Sequence, residues 1–292
     1  MPYLLAILTG IVYAFQKIND KNIISKFHLD YMYMGVYRNL IPLIILSFPF
    51  VFMNHIHYLF NPVFILYIFI MSILNISKTL LYYMSLKRFD VSYISIIETS
   101  TPLFMTMIAF IFLQEKLGVS SIIGLILVII GNVFLEISRL KHIGHFDIKK
   151  SGWPFIVIIM ILSGFIGVVS KKAILIGSVE AFLWSIYFIM FLFFIFLYRR
   201  KYSRKNREKH GITKIPHKYI FPVSFTGVLL TVAATLQMYS YKSLPIGKVS
   251  GIGTIEVITI LALEYLFIQK QVNPVRLWSA LLVLLGIFLI IV

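Results

Sequence analysis

The chain has 292 residues, 60% of them hydrophobic and 13% charged, with a mean hydropathy of +0.93. A soluble domain carries about 25% charged residues and has no use for so much apolar surface, so the composition describes a polytopic membrane protein. The formal charge of +16 comes from Lys and Arg set mostly between apolar runs, which disfavours a nucleic-acid partner; with no cysteine, disulfides, thiolate metal sites and cysteine catalysis are excluded.

A hydrocarbon core about 30 Å thick needs roughly 20 apolar residues as a helix. Ten runs qualify, at 3–18 (short, with an extension to 24 as the alternative), 31–53, 62–84, 91–113, 119–137, 152–174, 179–198, 219–241, 246–268 and 274–292. They are long and do not alternate with period two, so they read as helices. The first begins without a basic region before it or a small-residue cleavage site after it, and reads as a retained helix. Pro62, Pro154, Pro222, Pro245 and Pro274 stand in or just before first turns, where a missing N–H costs little. Most connections are short; the exceptions are 138–151 and the basic segment 199–218.

Shifted by about 155 residues, the chain matches itself. ILTGIVYAFQK, ending at Lys17, lies over ILSGFIGVVSK, ending at Lys171. FLQEKLG from Phe112 lies over FIQKQVN from Phe267, and LVIIG ending at Gly131 over LVLLG ending at Gly286. Each half holds five helices: a first repeat at 1–137, a linker at 138–151 and a second repeat at 152–292. Five is odd, so the second half enters from the opposite face. The expected fold is an all-α membrane protein of ten transmembrane helices in two inverted five-helix repeats, with a midplane site at the repeat interface.

Several stretches carry a resemblance: Thr9-Gly10 through Lys17, Arg38, PLFMTMIAFIFLQEKL from Pro102, SIIGLILVIIG from Ser121, and IEVITILALEYLFIQKQV from Ile255. In their order and spacing they resemble the drug/metabolite transporters built from two EamA-type domains. The chain departs from that pattern at Gln114-Glu115 and Gln269-Lys270, where the family often has Gly-Glu, and at Glu256-Val257, where it often has Glu-Pro. The resemblance implies that helices three, four, eight and nine, with one and six, line a central cavity. It implies that helices five and ten are peripheral and available for a homodimer, with a monomer as the alternative. Polar residues on the lining helices become substrate-binding candidates: Tyr13, Asn75, Lys78, Tyr82, Glu98, Thr235 and Gln237, with Gln16, Thr101, Ser163, Ser170 and Thr231 behind them.

Ionisable residues at the bilayer centre cost at least about 2.5–3.5 kcal/mol, so they face the interior and need partners. Counted from the helix ends, Arg38, Lys78 and Glu98 share one level, about 10 Å below one face. The expectation is a Glu98–Lys78 pair with Arg38 as third member; the alternative is that Arg38 and Lys78 snorkel to the interface. Glu98 sits four residues before Pro102, which lacks the N–H that its carbonyl would accept, so a helix break is expected there. In the second half Glu256 occupies the equivalent helix face and shows no evident cationic mate, which makes Glu256 and Glu98 the candidate coupling-ion carriers.

His55-Ile56-His57 has no third ligand nearby and reads as a polar loop, so no metal is expected. Without a P-loop or G-x-S-x-G, ATP-driven transport and hydrolase chemistry are disfavoured, and no cofactor is expected. Lys and Arg favour the loops after helices one, three, five, seven and nine, which puts both termini outside a plasma membrane; the resemblance implies cytoplasmic termini. The reading of function is a secondary transporter of small metabolites, amino acids among them, working by alternating access, with proton coupling or facilitated exchange both open. A drug or lipid-linked substrate on the same fold and, from another class, an intramembrane transferase stand as alternatives.

Overall fold

In lipid the backbone has no hydrogen-bond partner but itself, so long apolar runs close their bonds as helices. The computed structural model describes residues 1–27, 31–88, 101–140, 153–201, 220–268 and 274–292. Among these residues there is no strand. Eleven α-helices follow one another: α1 Pro2–Phe27, α2 Tyr31–Phe52, α3 Pro62–Arg88, α4 Thr101–Leu113, α5 Val119–Leu140, α6 Trp153–Ile176, α7 Val179–Lys201, α8 Ile220–Ser243, α9 Ile246–Gly253, α10 Ile255–Ile268 and α11 Pro274–Ile291. A 3-10 turn, His55–Phe60, joins α2 to α3.

Two helices depart from the sequence expectation. The first run continues well past residue 18, because its polar continuation finds protein rather than water. Asn19 Nδ2 donates to the Pro222 carbonyl at 2.8 Å and to Thr226 Oγ1 at 2.6 Å, both on α8. The ninth run is two helices, α9 and α10, broken at Thr254. There the Val257 N–H returns to the Thr254 carbonyl at 2.9 Å, a three-residue step in place of the four of an α-helix. The Thr254 hydroxyl donates to the Gly251 carbonyl at 2.6 Å and so covers one acceptor at the break.

The two halves interlock. α1 packs on α8, α9 and α10, while its counterpart α6 packs on α3 and α4. α2 packs on α7, and α5 on α11. Each of these pairings crosses from one half to the other, as the two-repeat architecture allows. The α5–α11 seam shows the exchange residue by residue. A Cβ on Gly124 would stand 2.5 Å from the Gly286 carbonyl oxygen, and one on Gly131 would stand 2.8 Å from that of Ser279. In the repeat register Gly124 corresponds to Ser279 and Gly131 to Gly286, so each contact is the other with its halves swapped. Only small residues allow backbones this close.

The outer surface is apolar. Phe48, Phe69, Phe110, Phe196 and Phe288 are each exposed over more than half their area, on α2, α3, α4, α7 and α11. Such a belt is stable against lipid and not against water. The α2–α3, α4–α5, α6–α7 and α8–α9 connections lie at one end of the bundle, joined by contacts of Glu115 with Ile246, His55 with Glu180 and Gly177 with Phe64, and Pro2 and Ile290 lie beside them; this end is called here the terminal face.

Candidate functional site

A cavity of about 400 Å³ lies between the halves, with walls from α1, α2, α3, α4, α6, α7, α8, α9 and α10. Its polar side is organised by α1. Tyr13, Gln16, Lys17 and Asp20 follow the spacing of one helical face, and all four line the cavity. Each reaches a different partner. The Tyr13 hydroxyl donates to Gln237 Oε1 on α8 at 3.0 Å. Lys17 Nζ stands 2.8 Å from Glu256 Oε1 on α10. Gln16 Nε2 donates to Asp20 Oδ2 at 3.1 Å, and Arg38 Nη1 on α2 stands 3.4 Å from the same oxygen.

The broken ninth helix positions Glu256. The break puts Glu256 in the first turn of α10, where free N–H groups favour a carboxylate. Gly10 brings α1 against that break: a Cβ there would stand 2.6 Å from the Gly253 oxygen and 3.2 Å from the Glu256 nitrogen. The close approach carries Lys17, two turns further along α1, to the carboxylate. A second relay runs from Tyr13 through Gln237, whose Nε2 donates to the Tyr241 hydroxyl at 3.0 Å.

Most of the residues expected from sequence come together here. Tyr13, Arg38, Asn75, Lys78, Tyr82, Pro102, Gln237 and Glu256 line the cavity, as do Gln16, Thr101 and Ser163. Thr235 does not; nor do Ser170 and Thr231, whose hydroxyls donate to their own helix backbones at Ile166 and Gly227. Pro102 stands in the first turn of α4. Glu98, and with it both the Glu98–Lys78 pair and the break before Pro102, lies outside the described residues.

One expectation about charge is corrected, and one partner comes in addition to those expected. Glu256 has a cationic mate, Lys17, which the sequence reading had placed at the very end of a helix that in fact continues. Arg38 has a carboxylate on the first helix, Asp20, while its expected grouping with Glu98 lies outside the described residues. Asp20 was missed for the same reason. Asp20 is seven residues before the end of α1 and Arg38 seven after the start of α2. Both therefore lie about 10 Å from those helix ends. Pro42 adds a detail: lacking an N–H, it frees the carbonyl of Arg38, four residues before it.

Asn39, Thr79, Tyr187 and Ser250 also line the cavity. The remaining wall is apolar, with Met71, Met105, Phe182, Leu183, Ile186 and Met190 prominent. The cavity thus sets a charged, hydrogen-bonding side against an apolar wall. Among the described residues no cluster of His, Asp and Glu could hold a metal ion.

Among solved structures, one crystal structure shares this fold over 99% of the present chain and 94% of its own, with a TM-score of 0.74 at 12% identity. At that identity the likeness concerns the fold alone. No curated protein matches the sequence. The family model for EamA-like transporters matches residues 1–137 and again 150–292, one copy in each half. With both halves matched and their helices interlocked about a shared cavity, the chain is a member of the EamA-like transporter family, an integral membrane transporter family of the drug/metabolite transporter superfamily.

Proposed function

We propose that the protein is a secondary transporter that carries a small polar or amphipathic metabolite, amino acids included, across the membrane by alternating access. The observation that carries this reading is the position of the cavity. It lies between two inverted repeats and holds two ion pairs that each join different helices, Lys17–Glu256 and Arg38–Asp20. Charges at this depth are costly unless they serve a pathway. A substrate with a charged end can exchange with one partner of either pair, which links its binding to the positions of α1, α2 and α10. The same exchange makes Glu256 and Asp20 candidates for proton coupling.

The methionine and phenylalanine wall supports a second substrate class, a drug-like or lipid-linked molecule with a larger apolar body. The loop charge bias supports termini outside the plasma membrane. The test is uptake of a labelled solute panel into proteoliposomes, with and without an imposed proton gradient. Saturable uptake that Glu256→Gln abolishes supports the proposal. Uptake indistinguishable from empty liposomes across polar, amphipathic and drug-like solutes overturns it.

A further inference from the structure

At the terminal face one carboxylate ties three segments together. Glu115 lies in the α4–α5 turn of the first half. Its Oε1 accepts from Lys171 Nζ of α6 at 2.5 Å, and its Oε2 accepts from the backbone N–H of Ile246 at 2.8 Å. Lys171 also donates to the Leu244 carbonyl at 2.7 Å. A first-half turn is thereby joined to the sixth helix and to the α8–α9 turn of the second half. The turn that presents Glu115 is held in a particular shape. Gln114 has φ 55°, a left-handed conformation, and the Glu115 N–H reaches back to the Ala109 carbonyl at 3.5 Å. That return bond spans one residue more than a Schellman closure, so the end of α4 is a widened turn with its left-handed residue at Gln114.

Between this cluster and the cavity lies an apolar layer. Ile246, Tyr241, Phe182 and Met105 are all buried, and the last three stand within or beside the cavity wall. A Cβ on Gly167 would stand 3.1 Å from Ile246 Cγ2 and 3.7 Å from Met105 Cε, so α4, α6 and α9 meet here without a gap. A second polar contact crosses the halves at the same face: His55 Nε2 lies 3.5 Å from Glu180 Oε2 without hydrogen-bond geometry, and within the second half the Tyr239 hydroxyl donates to Glu180.

The repeat does not duplicate the Glu115 arrangement. In sequence register Lys17 takes the place of Lys171, but Lys270 takes the place of Glu115. Two lysines cannot make this pair, and Lys17 is instead found on Glu256.

We infer that Glu115 and Lys171 form a one-sided latch that holds the terminal face closed over the cavity, and that Glu115 is a positioning residue of the transport cycle. The inference rests on the alternating-access reading. Breaking the latch removes a charge-assisted bridge present only in the state closed at this face, so it raises the population open there.

The chain contains no cysteine, so a single introduced thiol reports without background. Gly253 lines the cavity, and a Cβ there meets nothing within 4 Å, which makes Gly253→Cys the reporter. Membrane vesicles of each orientation are labelled with an impermeant maleimide. Glu115→Ala and Lys171→Met should each raise the rate from the terminal face about tenfold. The double variant should rise no further than either single, and Lys171→Arg should label like the parent. Unchanged rates in both single variants, or effects that multiply in the double, would overturn the latch. Equal and rapid labelling from both faces in every protein, the parent included, would overturn alternating access itself. Labelling from the opposite face alone, whatever the variant, would remove the latch and leave the transport reading standing.

Discussion

Lys17 and Glu256 meet at 2.8 Å across the interface between the two halves, one from the middle of an unbroken helix and the other from the first turn after a break. Their side chains are 28% and 16% exposed, so the pair is wetted on the cavity side and shielded on the other. Removing one partner takes this ion pair from the other charge. Lys17→Met should lower stability by about 2 kcal/mol, below the figure for a fully buried pair. Lys17→Met with Glu256→Gln should recover much of that loss while transport stays abolished. Thermal unfolding of the purified variants in one detergent checks the first part, and proteoliposome flux the second.

The Arg38–Asp20 pair is better shielded, with the Asp20 side chain 5% exposed. Arg38→Gln should therefore cost more stability than Lys17→Met, about 3 kcal/mol, because the stranded carboxylate has less water to turn to. Arg38→Lys should fall between, since a single ammonium replaces the guanidinium fork. Ranking the three unfolding midpoints in one detergent checks the order.

The glycines separate packing from pathway. A Cβ on Gly124 would run into the Gly286 carbonyl oxygen at 2.5 Å, a backbone atom that cannot swing away. Gly124→Ala should cost about 1–3 kcal/mol by forcing α5 from α11. Gly253→Ala, which meets nothing, should leave stability unchanged or raise it by a few tenths of a kcal/mol. Its effect should instead fall on substrate affinity, because residue 253 lines the cavity. Parallel unfolding and flux measurements on the two variants test the contrast.

Gln114 holds a left-handed conformation that costs a residue with a Cβ about 1–2 kcal/mol. Gln114→Gly should relieve part of this and raise the midpoint of thermal unfolding, while preserving the turn that aims Glu115. Gln114→Val should do the reverse, since a β-branched side chain is poorly tolerated there. Circular dichroism melts on the pair decide the point.

The apolar spans and the repeat could be read from the chain because each rests on a local pattern. Apolar length gives spans, and register gives the repeat. The cavity wall was partly legible for the same reason: polar residues inside apolar runs, such as Asn75, Lys78 and Gln237, have few other places to go. Asp20 was not legible from composition, because the polar stretch after Ile18 looks like a loop until α8 supplies partners for Asn19. The break at Thr254 was hidden too. No proline marks it, and the hydroxyl that stabilises it is chemically ordinary in a membrane helix. Thr235 shows the converse: its polarity suggested the cavity, but it lies on another face of α8.

The most direct test of the central claim is counterflow in proteoliposomes. Vesicles preloaded with unlabelled substrate from the solute screen are exposed to labelled substrate outside. A carrier with one alternating cavity should accumulate label transiently above equilibrium, and Glu256→Gln and Lys17→Met should each abolish the overshoot. Simple equilibration without an overshoot in the wild type, or an undiminished overshoot in both variants, would contradict the account.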